Sequence, residues 1–187
     1  MIFDLIKATR SYRRFNADRE ITLSELYRMV DAARHTGSAA NRQRIRFALV
    51  NEKKLNDEMF KNVAWAGYLK EWGGPSENER PTAYIVMMCR EDAIDTSLAI
   101  DMGIAAEAIL LTATEMGLGG CMIRSFKKAE IDEILSKEGY NTAFVIALGE
   151  PTERVYLTDV KDGDIKYYRD ENDDHVVPKF TLDELII

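Results

Sequence analysis

Residues Asp95–Ser125, DTSLAIDMGIAAEAILLTATEMGLGGCMIRS, decide how the rest of the chain can fold. Between Asp95 and Met116 the only charged side chains are Asp95, Asp101, Glu107 and Glu115. At about 100° per residue those four point in widely separated directions, so a helix here has no broad polar face. Such a helix must be enclosed by protein. Its carboxylates interrupt every apolar run well short of the ~20 residues a membrane span requires. The expected surroundings are the chain's own domain on one side and a second subunit on the other. Gly117-Leu-Gly-Gly120 then stops the helix and starts a strand; it lacks the Lys and the following helix of a phosphate loop. Arg124-Ser125, at the end of that strand, is expected at a buried, shared site.

Working outward, 187 residues with 46% hydrophobic and 30% charged content suit one globular domain with a substantial core. The N-terminal MIFDLIKATR has no long apolar stretch, so no signal peptide is expected. Cys89 and Cys121 sit in apolar runs outside any CxxC pair and read as buried free thiols, which points to a cytoplasmic protein. The net charge is −7, yet residues 1–46 are basic and the remainder acidic. That balance disfavours nucleic-acid binding and suits the holding of one compact anion. No membrane association is expected.

Along the chain, Met1–Ala8 reads as a short helix. Thr22-Leu-Ser-Glu25 is a capping box, with Leu23, Leu26, Met29, Val30 and Ala33 on one helical face and Gly37 suited to the C-terminal cap. Phe47–Val50, Ala83–Cys89 and Ala143–Leu148 read as strands. Residues 52–72 look helical in two pieces, the second carrying Trp65, Tyr68, Leu69 and Trp72. Lys127–Lys137 is a further helix. Residues 1–151 form the expected core. Residues 152–187 form an arm too poor in apolar surface for a core of its own, with a hairpin about Asp162-Gly163, an extended Val176–Lys179 and a last helical turn.

Familiar catalytic parts are missing. The two histidines, His35 and His175, belong to no HExxH and neighbour no nucleophile, so no metal site is expected. Two polar clusters remain. Arg10-Ser11-Tyr12-Arg13-Arg14 offers forked guanidinium groups and a hydroxyl for a phosphate. Ser38-Ala-Ala-Asn41-Arg42-Gln43-Arg44 offers amides that suit the mixed donor and acceptor edge of a heterocycle.

Together with the central stretch these resemble the FMN-dependent nitroreductase family. The resemblance rests on four segments in order: Arg10-Ser11-Tyr12-Arg13-Arg14-Phe15; Ser38-Ala-Ala-Asn41-Arg42-Gln43; the long helix with Gly117-Leu-Gly-Gly-Cys-Met-Ile-Arg124-Ser125-Phe126; and Ala147-Leu-Gly149-Glu-Pro151. It covers essentially the whole chain. The chain departs from the family pattern at Thr9, Arg44 and Phe180.

The resemblance implies an α/β (α+β) fold, a three-layer α/β/α sandwich with a mixed central sheet, the long helix at a homodimer interface and an extended C-terminal arm. It implies that Arg10, Ser11 and Arg13 hold the FMN phosphate and ribityl chain, with Lys179 completing the phosphate site. Ser38, Asn41 and Gln43 reach FMN from the opposite subunit, and Arg124 and Ser125 lie at the flavin ring edge. Trp65 and Tyr68 are candidate substrate contacts. NADH or NADPH would donate electrons, and a small conjugated acceptor such as a nitroaromatic or quinone would take them, with ping-pong kinetics. The flavin carries the chemistry, so no catalytic acid or base is named; Arg124 is given an electrostatic role. The alternative is a flavin-binding sensor or carrier without turnover.

Overall fold

The computed structural model describes residues 1–187. Its centre is a four-stranded sheet of β1 (Arg46–Val50), β2 (Ala83–Cys89), β3 (Gly119–Ile123) and β4 (Asn141–Gly149), in the order β1-β2-β4-β3. Every residue of β2 is buried, as its uninterrupted apolar run AYIVMMC requires of a strand covered on both faces. Its alternation divides the core. Ala83, Ile85, Met87 and Cys89 face one cluster with α2 (Leu23–Arg34) and α4 (Thr96–Glu115). Tyr84, Val86 and Met88 face another with α3 (Lys53–Phe60) and α5 (Lys128–Leu135). Ile146 and Leu148 of β4 join the first cluster, and Val145 and Ala147 the second. The result is the α/β/α sandwich anticipated from the sequence.

The parallel component expected of the central sheet lies only at its margin. All three ladders are antiparallel, with Ile85 opposite both Leu49 and Ile146, and Cys121 opposite Ala147. The helix α4 carries the chain across so that β3 runs in the same direction as β2, but β4 inserts between them and makes both contacts antiparallel. A parallel bridge remains between Ser11 and Gly120. Gly120 has no room for a side chain: an added Cβ would sit 2.6 Å from the Ala147 carbonyl oxygen.

Asp95 caps α4 by accepting the Leu98 N–H at 2.8 Å, and the helix ends where Gly117 takes φ 74°. By length and composition α4 passes as a membrane span, yet Leu98, Met102, Ala106 and Ile109 pack it into the first core cluster. Its other side leaves Ile100 and Ile104 57% and 44% exposed. The Arg44 departure is absorbed at the same end: its guanidinium holds Asp95 through bonds of 2.6 and 3.0 Å and reaches Ser97 at 2.8 Å. Thr9 is absorbed at the other, where its hydroxyl bonds Thr114 at 3.0 Å and ties α1 (Ile2–Ala8) to α4.

The capping box of α2 forms as read, with Thr22 Oγ1 accepting the Glu25 N–H and the Glu25 carboxylate accepting the Thr22 N–H. Thr22→Ala is expected to lower unfolding stability by ~1 kcal/mol, measurable as a shifted urea midpoint at unchanged slope. Two details of that helix differ from expectation. Leu23 is 47% exposed because it occupies the first turn, outside the stripe of Leu26, Met29 and Ala33. Gly37 does not adopt a left-handed cap, since the helix already closes on His35.

Two longer segments also differ. Residues 61–72 are turns, not a second helix. Val63 bridges to Phe126, Ala64 donates to the Ser125 carbonyl at 2.8 Å, and Ala66 adopts φ 40°, so partners from β3's exit outcompete local helical bonding. In residues 152–187 the turn at Asp162-Gly163 forms with both residues at positive φ, but its flanks do not pair as a hairpin. Instead β7 (His175–Lys179) lies between β5 (Val155–Asp159), in parallel, and β6 (Tyr168–Arg169), antiparallel. The chain ends in the short helix α6 (Leu182–Leu185).

Candidate functional site

The parallel bridge between Ser11 and Gly120, reinforced by the Tyr12 N–H donating to the Gly120 carbonyl at 3.0 Å, lays residues 9–13 alongside β3. From this edge Arg10, Ser11 and Arg13 line a cavity of about 300 Å³. Glu107 and Leu110 of α4, Met122 of β3, and Tyr167, His175, Val177 and Lys179 from the C-terminal residues complete its wall. Glu153 fastens the C-terminal residues to this edge. Its carboxylate accepts the backbone N–H groups of Arg13 and Arg14 and the Arg169 guanidinium, the last at 2.6 Å. Arg14 adds a salt bridge to Asp173.

Arg13 is only 8% exposed. Its guanidinium lies 4.8 Å over the Tyr167 ring and 3.0 Å from His175 Nε2. A guanidinium can only donate, so Nε2 must accept and the neutral ring carries its proton on Nδ1. Burial pushes the His175 pKa down to about 4, helped by the positive charges of Arg13, Arg169 and Arg14. Two enclosed donors of the cavity residues, Arg10 Nε and His175 Nδ1, have no hydrogen-bond partner. Surplus donors beside cationic groups in a buried setting are the chemistry of an anion site.

A second cavity, of about 240 Å³, lies toward the start of α4 and is lined by Thr36, Ser38, Gln43, Arg44, Phe47, Asp101 and others. The segment over it is strained: Ala40, Asn41 and Gln43 take φ of 50°, 53° and 49°. Asn41 is exposed and lines neither cavity.

Arg124 and Ser125 follow Ile123, the last residue of β3, and are exposed, outside both cavities. The corner they make rests against residues 63–64 through the Ser125 carbonyl and the Phe126 bridge. Trp65 is half-buried against Phe60, with ring centroids 5.8 Å apart, and belongs to the second core cluster's edge. Tyr68 is different. Its ring is 4.9 Å from Tyr167, which in turn is 5.1 Å from His175, so it closes a chain of rings leading to the first cavity.

Of the residues singled out in the sequence, the structure therefore gathers Arg10, Ser11, Arg13 and Lys179 in one place, with Tyr68 at its border. Ser38 and Gln43 stand in another, and Asn41, Trp65, Arg124 and Ser125 lie outside both. Glu107, Glu153, Tyr167 and His175 were not singled out. Only His175 left a signal, as a histidine beside the apolar Val176-Val177 pair.

Residues 6–150 match the nitroreductase family. The fold is similar to that of a nitroreductase family protein from Streptococcus pneumoniae TIGR4, at 16% identity over 100% of this chain and 99% of that one, with a TM-score of 0.71. An FMN-dependent nitroreductase from Clostridium difficile R20291 is 24% identical over 88% of this chain and 94% of its own, TM-score 0.63. The NADPH:FMN oxidoreductase of Vibrio harveyi, solved in complex with NAD+, is 22% identical over 98% and 80%, TM-score 0.65. At these identities the likeness is one of fold. No curated protein matches the chain significantly.

Proposed function

Because the chain belongs to the nitroreductase family, whose match spans residues 6–150, we propose that it is an FMN-dependent oxidoreductase passing electrons from NADH or NADPH to a small conjugated acceptor, such as a nitroaromatic or quinone. The observation that carries this reading is the convergence of Arg10, Ser11, Arg13 and Lys179 on one cavity, where Arg10 Nε and His175 Nδ1 lack partners. Those residues fit the phosphate and ribityl chain of FMN. When bound, FMN supplies the redox chemistry, taking electrons from the nucleotide and giving them to the acceptor in alternating half-reactions.

The chain's own contributions are binding, orientation and charge. Arg13 offers a planar fork whose direction is fixed by stacking on Tyr167. Arg10 and Lys179 add positive charge to the cavity, one from the N-terminal segment and one from β7. Arg124, an exposed cation just past β3, would attract the nucleotide's phosphates. Tyr68 would border the acceptor.

In this reading residues 1–151 are the FMN-binding core and 152–187 an arm on the body or the partner subunit. The protein is a cytoplasmic homodimer joined along the exposed side of α4, where Ile100 and Ile104 supply apolar surface. Ser38, Asn41, Gln43 and Ser125 complete the flavin contacts, the first three from the opposite subunit. The test is an anaerobic titration. Purified protein reconstituted with FMN should lose its visible flavin absorption on addition of NADH or NADPH, and regain it with an acceptor. Bound flavin that neither nucleotide bleaches would support a carrier or sensor instead.

A further inference from the structure

Asp101 sits in the second turn of α4 at 3% exposure. One oxygen, Oδ1, accepts the Ala39 N–H at 2.9 Å. The other, Oδ2, is enclosed without a partner, as is the Ser38 hydroxyl. A buried carboxyl with one oxygen unpaired is a poor way to fill a helix core, where alanine or leucine would pack without the desolvation penalty. The segment it grips is also unfavourable in isolation, since Ala40, Asn41 and Gln43 are non-glycine residues at positive φ. Both features meet at the single Asp101–Ala39 hydrogen bond. Arg44 is near enough for its charge to act on Asp101, but its hydrogen bonds go to Asp95 and Ser97, and those of Arg46 to the Gln43 and Ile45 carbonyls, so neither cation pairs the free oxygen.

We infer that Asp101 is a positioning residue, which anchors residues 38–43 from the core helix and holds their strained backbone in the form that presents Ser38, Asn41 and Gln43 to a ligand. The inference rests on the reading above, in which those three side chains contact FMN. It makes the flavin-contacting segment depend on a carboxyl that touches no ligand itself.

Two variants break the bond from opposite ends. Asp101→Ala removes the acceptor. Ala39→Pro removes the donor at the first position of a helical turn, where proline is tolerated, and leaves α4 untouched. Asp101→Asn keeps an acceptor oxygen of the same shape, and Leu98→Ala serves as a control for damage to the same helix. FMN affinity is measured by flavin fluorescence, and amide exchange is followed at Asn41 to Gln43 in the protein without FMN. The expected result is weaker FMN binding in Asp101→Ala and in Ala39→Pro, on the order of tenfold to a hundredfold, with faster exchange in both. Asp101→Asn should restore both readouts, and Leu98→Ala should lower the melting temperature without moving FMN affinity. The inference is overturned by folded Asp101→Ala or Ala39→Pro that exchanges and binds as wild type does, or by Asp101→Asn as defective as Asp101→Ala. Wild-type protein that binds no FMN would sink the functional reading alone, because exchange at Asn41 to Gln43 still decides whether Asp101 holds the segment.

Discussion

Arg13→Ala is expected to weaken FMN binding by roughly a hundredfold or more, equivalent to ~3 kcal/mol, the largest loss anticipated for any single substitution in the cavity. Arg13 differs from Arg10 and Lys179 in being buried and held on two sides, by the Tyr167 ring and by His175. A fork fixed before the ligand arrives loses little side-chain freedom on binding, whereas exposed Lys179 must be ordered. Arg13→Lys should recover only part of the affinity, because an ammonium keeps the charge and loses the planar fork. Fluorescence titration of FMN into each variant separates these outcomes. Equal affinity for wild type and Arg13→Ala would place the phosphate elsewhere.

The second large effect is on stability in acid. His175 titrates near 6.5 when unfolded and at about 4 in the fold, held down by burial and then by Arg13, Arg169 and Arg14. As pH falls below 6.5 the unfolded chain therefore takes up a proton that the folded chain refuses until pH 4. Stability is independent of this group above pH 6.5, declines between 6.5 and 4, and is lower by up to about 3 kcal/mol below that window. Urea unfolding of wild type and His175→Asn at pH 7, 5.5 and 4 reads it directly. The wild type should lose about 2–3 kcal/mol more than the variant across that range; parallel losses would show that His175 is not the group responsible. The two predictions are linked. Removing Arg13 removes one of the charges depressing His175, so Arg13→Ala should narrow the acid window from its lower end.

The part of the fold legible in the sequence is the part whose packing leaves a local trace. The apolar side that Thr96–Glu115 turns to the core, the unbroken apolar run of Ala83–Cys89 and the Thr22–Glu25 capping box each report their surroundings within one element. Residues 61–72 show where such reading stops. Trp65, Tyr68, Leu69 and Trp72 have helical spacing, but Val63 and Ala64 are claimed by Phe126 and Ser125, about sixty residues further along the chain. The hairpin about Asp162-Gly163 fails similarly: the turn is local and forms, while the choice of β7 as partner is not local.

The site divides along the same line. Arg10, Ser11 and Arg13 are contiguous enough to be read as one cluster. Glu153 and His175, which fasten the C-terminal residues to that cluster, stand apart from it by 140 and 162 positions. Asp101 was visible only as an interruption in an apolar helix. Its hydrogen bond to Ala39 gives that interruption a purpose that spacing could not supply.

The cavity of Arg10, Ser11, Arg13 and Lys179 is the proposed seat of a flavin phosphate, and comparing FMN with riboflavin tests that assignment most directly. The two ligands share the ring and ribityl chain and differ only in the phosphate. FMN should bind at least about a hundredfold more tightly than riboflavin at low salt, with the difference shrinking as ionic strength rises. Equal affinities, unaffected by salt, would contradict the assignment of this cavity to the phosphate.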